Sequence, residues 1–516
     1  MVGVKCHSNV WQLRPRKLCT QTGLGSRQSL VYLRHMHNKA PQNSAARKFL
    51  SNPARQAFAQ AEPQRGTPTA DSRNHKNAAD KAHKPKAADC SLDTPFDSSI
   101  GKPSAAQRGK TYTGPTNADV LILGAGAAGL MCARHAAASG LSVVLLERGP
   151  VPGRKLAVSG GGKANFTNRT VSPHDYRCDG SKGNAFCGPA LKGFTPEHML
   201  HLVREWNLPF EERSHGQLFL TVAAQRMVRA LVDDCRKHGC HIACNTTVTA
   251  VQPLPDGFSV QTESGTWRGK VLVLALGSPA WPQAGGSGAG FRLAADLGHS
   301  VIPPRAALAP LKLADDSPLL SLSGISLPVA VSLGQHQWQD DLLFTHEGLS
   351  GPAALKASLY WNQGAALTLN FLPSLDVAAL LDAPQTSKQT PRALLARHLP
   401  QRLVGALLPQ ECARRKAAEL SRAARLAIVE AVQKHSITPN ATAGLKKAEA
   451  CSGGVNTDEV DPKTMRSRVR ENLFVVGELL DVTGLLGGYN LHWAWASGTA
   501  AARELARHLA GQGTAR

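Results

Sequence analysis

The sequence predicts an α/β protein: a doubly wound, mostly parallel sheet that is discontinuous in the chain, with a β-rich insertion and a helical insertion. Three observations carry this. A strand, a glycine-rich turn, a helix and a second strand follow one another over 118–146. Fully apolar runs, the signature of strands covered on both faces, recur far apart at 271–275 and 473–476. Between them the pattern turns to β and then to helix before the α/β pattern resumes. The doubly wound, Rossmann-type part spans 117–303 and 451–516. The β-rich insertion spans 304–375 and the helical insertion 376–450. Residues 1–116 read as a disordered basic extension.

Each element has its own warrant. Asp119–Leu123 is a short buried strand, and Leu130–Ser139 an Ala-rich helix closed by Gly140. Ser142–Leu146 is the next strand, completing a βαβ unit of about 30 residues. Thr195-Pro196-Glu197 starts a helix to about Trp206. Ala223–His238 is another, stopped by Gly239. Short strands are expected at His241–Ala243, Thr247–Gln252, Gly257–Thr262 and Lys270–Ala275. Leu327–Leu333, Trp338–Phe344 and Ala366–Phe371 are the clearer strands of the β-rich insertion, and Ala423–Lys434 is the plainest helix of the next. Leu473–Val476 returns to the sheet, and a helix from about Leu491 to Leu509 closes the chain.

Composition narrows the function classes. The 516 residues carry a formal charge of +22, but residues 1–116 hold 19 Lys/Arg against six Asp/Glu, a balance of +13. The remaining +9 is ordinary for 400 residues. The first acidic residue is Glu62. An Arg-rich, acid-poor start resembles an organelle transit peptide, so a mitochondrial matrix or other organelle location over 1–61 stands beside a cytoplasmic one and beside an extension without function. No run of 18 apolar residues exists, so no membrane span is expected. Eleven Cys without CxxC pairs read as thiols in a reducing compartment, and no metal-ligand spacing is present.

The chemistry gathers at glycines. Gly124 permits the tight strand-to-helix turn, Gly126 lets the backbone approach a pyrophosphate, and Gly129 lets helix and strand pack closely. Ala127 and Ala128 supply N–H groups at the positive end of the helix dipole. Glu147, 18 residues after Gly129, is placed to accept ribose hydroxyls, with Arg148 beside it. It would repel a 2′-phosphate. A second cradle follows: Arg154 and Lys155, then Ser159, Gly160, Gly161, Gly162 and Asn165, like an anion nest. A plain dehydrogenase needs no such segment; the extended flavin adenine dinucleotide (FAD) does. Gly277 ends one buried strand, and Gly477 and Glu478 another, with Gly488, Tyr489 and Asn490 soon after. Ligands collect at strand carboxyl ends in such sheets, so these glycines point at one crevice.

At these motifs the chain, from about Ala118 to Arg507, resembles the three-domain bacterial flavoprotein family with bile-acid-inducible reductase-like and aminoacetone-oxidase-like members. The shared stretches are GAGAAGLMCA at 124–133, GRKLAVSGGGKANFTN at 153–168, ALGSPAWPQAGGSGAGF at 275–291, FTHEGLSGPAAL at 344–355, CSGGVNTDEVDPKTM at 451–465 and GELLDVTGLLGGYNLHWAWASG at 477–498. Lys163-Ala164-Asn165 stands where the family usually carries Arg-Cys-Asn, and Gly277-Ser278 where it has Gly-Gly. The resemblance implies a discontinuous FAD domain with β-barrel-like and helical insertions.

The expected function is that of an FAD-dependent oxidoreductase acting on a small organic substrate. The alternative is an FAD-binding RNA-modifying or RNA-binding protein using the basic N-terminal arm. No second dinucleotide fold surrounds Gly286–Gly290, so NAD(P)H is expected only as a transient electron donor. His346, beside Thr345, and Tyr489 are the candidate catalytic groups, with Trp281 or Trp493 as a wall over the ring.

Overall fold

The computed structural model describes residues 114–513. The readings over residues 1–61, and over 62–113, lie outside the described residues. The central sheet contains strands β1 (Asn117–Leu123), β2 (Val143–Leu146), β3 (His241–Ala243), β4 (Val248–Leu254), β5 (Gly257–Thr262), β6 (Gly265–Leu274) and β7 (Leu473–Val475). Their order is β3-β2-β1-β6-β5-β4, with β7 also on β6. β6 changes partners along its length. Its first half, Gly265–Gly269, pairs antiparallel with β5; its last three residues, Leu272–Leu274, pair parallel with β7. The split follows the sequence, since Val271–Leu274 is fully apolar and buried while Thr266, Arg268 and Lys270 face water. This is the expected doubly wound, discontinuous domain.

The strand ends are in register, Leu123 beside both Leu146 and Leu274. The turn at Gly124 therefore presses on Ala275: a Cβ there would lie 2.5 Å from the Ala275 carbonyl oxygen, and φ is +103°. Helix α1 (Ala127–Ala138) leaves this turn, α2 (Arg154–Gly162) follows β2, and α3 (Tyr489–Gly513) closes the described chain. α1 and α3 approach closely because Gly498 faces α1, where a Cβ would sit 2.5 Å from the Ala128 carbonyl oxygen.

A two-stranded antiparallel neck, Val301–Ala307 with Ala450–Val455, leads to the insertion. There seven antiparallel strands run in the order His435–Ile437, Leu367–Asn370, Ser326–Leu333, His336–Phe344, Gly348–Ser350, Leu311–Lys312 and Ala441–Thr442. Two of these strands come from the segment expected to be helical. Helices Val377–Asp382 and Arg422–Gln433 from that segment share one apolar cluster with Val329, Leu342 and Phe344 of the sheet. A helix at Gly351–Tyr360 was hidden within the β-rich pattern.

Candidate active site

Most of the expected glycines line one cleft; Gly129 and Gly162 do not. A cleft of about 780 Å³ runs along the carboxyl ends of β1, β2, β6 and β7, well inside the range of about 300–1,000 Å³ usual for cofactor sites. At one end lie Leu146, Glu147, Thr246, Thr247 and Val248. At the centre are Gly124, Gly126, Ala127, Ala128, Gly277 and Gly477. At the other end, the second cradle and the start of α3 meet, with Gly160, Gly161, Asn165, Gly488 and Asn490. Leu308 and Pro352 reach in from the neck and the insertion.

The cradle fits a dinucleotide. No side chain caps α1 and no acid lies in its first turn, so its N–H groups stay open to an anion. A Cβ at Gly126 would meet nothing within 4 Å, because it points into the cleft. A Cβ on Gly129 would lie 2.0 Å from the Gly124 carbonyl oxygen. Gly129 thus builds the turn from behind without lining the cleft.

Glu147 is already held. One carboxylate oxygen accepts the Ala125 N–H at 2.9 Å and the other the Gly149 N–H at 2.7 Å. An ionised carboxylate has about four acceptor sites, so about two remain for ribose hydroxyls. Arg148 and Arg154 donate to the carbonyls of Gly285 and Gln283, fastening the loop 281–287 across the cleft. Trp281 lines that loop with φ of +56°.

The second cradle is more ordered than its composition implied. Arg154 onward is helix, and the chain leaves helical geometry at Ser159. Gly160, Gly161 and Gly162 then take positive φ in succession, which only glycine adopts without strain. Ser159 donates to the Leu156 carbonyl. Gly162 does not line the cleft; its carbonyl receives the Ala224 N–H. Lys163 turns away and donates to the Thr221 carbonyl at 2.9 Å. Lys155 pairs with Glu478 at 2.7 Å, and the second Glu478 oxygen accepts the Cys451 N–H.

At the start of α3, Asn490 clamps Gly484, accepting its N–H at 2.8 Å and donating to its carbonyl at 3.0 Å. Asn165, with its amide oriented to suit its neighbours, accepts the Gly488 N–H. These bonds leave the N-terminus of α3 aimed along the cleft, suited to stabilise negative charge on a flavin pyrimidine edge.

The structure does not bring the expected catalytic pair to this cleft. His346 sits at the tip of a tight turn made by Thr345 and Gly348, its side chain 81% exposed. Tyr489 is buried edge-to-face against Tyr176, and burial pushes its phenol up to about 12. Trp493 is not a wall over the ring; its indole N–H donates to the Gly477 carbonyl at 3.1 Å beneath the cleft. Two cleft groups escaped sequence reasoning. Thr246–Val248 joins the site only because β3 lies beside β2. Glu449 belongs to no motif and enters where the neck leaves the insertion. Among the described residues, no cluster of His, Cys, Asp or Glu is fit to hold a metal ion, and no helix is long and apolar enough to cross a membrane.

Known proteins resemble this chain over the same span. It is 37% identical over 399 residues to a ribosomal RNA dihydrouridine synthase of Escherichia coli K12, covering 75% of this chain and 98% of that protein. It is 38% identical over 396 residues to a protein of the same name from Haemophilus influenzae, with the same coverage. It is 30% identical over 406 residues to a 3-dehydro-bile acid delta(4,6)-reductase of Clostridium scindens, again over 75% and 98%. Residues 118–504 match the family described as HI0933-like protein Rossmann domain. With that match spanning sheet, neck and insertion alike, and with a cradle shaped for a dinucleotide, the chain belongs to the HI0933-like family of FAD-dependent oxidoreductases.

Proposed function

We propose that this protein is an FAD-dependent reductase that saturates a carbon–carbon double bond conjugated to a carbonyl, its substrate being a uracil base in RNA. The observation that carries the reading is similarity at 37–38% over nearly the whole length of two proteins named for dihydrouridine formation in ribosomal RNA. The more distant bile-acid relative supports the reaction class. A 3-oxo-Δ4,6 steroid and a uracil ring share a double bond conjugated to a carbonyl. The reading favours the RNA-modifying alternative over a free small molecule.

FAD, when bound, would supply hydride chemistry. The protein positions and polarises. Gly126 and the α1 N-terminus would hold the phosphates, Glu147 the ribose, and the α3 N-terminus the pyrimidine edge. Arg213 stacks over Phe219 at 4.1 Å on the cleft wall, a platform on which a planar base can lie. NADH or NADPH is the proposed source of electrons.

The test uses yellow holoenzyme, NADH or NADPH, and uridine-bearing ribosomal RNA. Nucleosides are then released and weighed. A gain of two hydrogens on uridine is the expected result. Unchanged RNA, with ready reduction of a free enone, would return the substrate to the small-molecule class.

A further inference from the structure

We propose that Glu449 is the proton donor of this reduction, delivering a proton to the substrate carbon next to the carbonyl. The inference rests on the reading above and adds a group that no motif points to.

The argument begins with the ionisable side chains of the cleft. Among the described residues its lining holds no histidine, cysteine or tyrosine. Its carboxylates are Glu147, Glu449 and Glu478, its lysine is Lys155, and its other ionisable groups are arginines, which keep their protons. Glu147 has both oxygens on backbone N–H groups. Glu478 is divided between Lys155 and the Cys451 N–H, which also occupies the lysine. The Glu449 carboxyl has no hydrogen bond or ion pair among the described residues. It is therefore the acid in the cleft whose proton is not committed elsewhere.

Its backbone is nonetheless fixed. The Glu449 N–H donates to the Leu308 carbonyl at 3.1 Å, and the next residue, Ala450, pairs with Ala307 in the neck. Leu308, held at φ of +51°, and Pro352 line the cleft with it. The acid thus lines the same cleft as the residues of the dinucleotide cradle, beside residues of the neck and the insertion. Glu449 is an exposed residue, yet desolvation by the protein atoms around it raises its carboxyl above its ordinary value, opposed only by the charge of Lys155, which Glu478 offsets. A carboxyl raised by crowding keeps its proton nearer neutral pH, as a general acid needs.

The chemistry would balance with a two-electron hydride donor, which a reduced flavin held by the cradle would supply. The carbon β to the carbonyl gains a C–H bond from the hydride. The π electrons shift toward the carbonyl, and the α carbon gains its C–H bond from the Glu449 proton. The substrate would gain two electrons from that donor, and the Glu449 carboxylate would regain its proton from water.

The test compares wild type, Glu449→Gln and Glu449→Asp as reduced holoenzymes in anaerobic stopped flow, following flavin absorbance. Acceptors are uridine-bearing RNA, cyclohex-2-enone and ferricyanide, the last taking electrons without a proton on carbon. Glu449→Gln is expected to slow reoxidation by the carbon acceptors about 100-fold, and to lose the fall in rate at high pH that is expected of wild type. Reoxidation by ferricyanide and flavin content stay within twofold of wild type, and Glu449→Asp recovers part of the rate. An unchanged rate with the carbon acceptors overturns the proposal. So does an equal loss with ferricyanide or of bound flavin, which would make Glu449 a scaffold residue. Wild type that reduces the enone and leaves uridine intact overturns the RNA reading alone, and Glu449 is then judged on the enone.

Discussion

Gly126 and Gly129 lie one helical turn apart and should fail in different ways. A valine at Gly126 projects into open cleft, where a pyrophosphate must lie. The apoprotein should unfold within about 0.5 kcal/mol of wild type, as expected of a substitution that meets no neighbour, while bound flavin absorbance falls at least tenfold. An alanine at Gly129 meets the Gly124 carbonyl at 2.0 Å. Alanine normally favours a helix interior over glycine by about 1 kcal/mol, yet overpacking costs about 1–3 kcal/mol, so the clash wins and apoprotein stability drops. Denaturant unfolding and flavin-to-protein absorbance ratios, measured on both variants, decide it; a flavin-replete Gly126→Val would refute the cradle. Both glycines were legible in the sequence because their spacing is set by backbone geometry. Glu449 was not, because it reaches the cleft only through the pairing of the following strand, Ala450–Val455, with Val301–Ala307. His346 illustrates the converse: a chemically apt residue in a shared motif that the fold turns out to solvent.

Among the elements, α3 carries the most chemistry in its first turn. His492 is wholly buried there, with Nδ1 2.8 Å from the Thr167 hydroxyl and Nε2 3.0 Å from the Phe194 carbonyl. That geometry suits the neutral ring, with Nε2–H donating and Nδ1 accepting. Burial pushes its pKa from 6.5 down to about 4. A folded-state pKa below the unfolded one means the contribution is whole above about pH 6.5 and is lost as pH falls toward 4. At 1.36 kcal/mol per unit the loss is about 3 kcal/mol. His135, also lowered to about 4 by burial, adds to the same acid limb. Stability measured by denaturant between pH 7 and 4 should fall steeply, and His492→Gln should flatten the slope by about half while lowering stability at pH 7. An unaltered slope in that variant would show that the ring charges without penalty. The parallel strands β1, β2 and β7 and the end of β6 could be read ahead of the structure because apolar runs four or more residues long have few other uses. The helix beginning at Arg154 was obscured by the glycines that end it. Strands at 435–437 and 441–442 are too short for periodicity to register; only pairing with the inserted sheet makes them strands.

At the scale of the whole molecule, charge and core divide the chain. The two large apolar clusters draw all their residues from 118–509 and 311–437. Residues 1–116 carry the +13 excess. A chain lacking residues 1–113 should therefore still fold and retain flavin, because nothing in either cluster is removed. RNA binding should respond differently. Cations on phosphates release counterions, so affinity falls with salt with a slope of about −0.7 for each phosphate contacted in a single strand. If about six of the excess charges meet phosphates, the shortened chain should show a slope shallower by about 4 and weaker binding at low salt. Arg148, Arg213 and Arg292 at the cleft would supply what remains. Fluorescence anisotropy with a labelled uridine-bearing RNA, between 50 and 300 mM salt, reads both quantities on both chains. Equal slopes would confine RNA contact to the cleft rim. Binding that ignores salt in both chains would remove the electrostatic case for an RNA substrate. Loss of flavin on shortening would mean that the first 113 residues support the folded body after all.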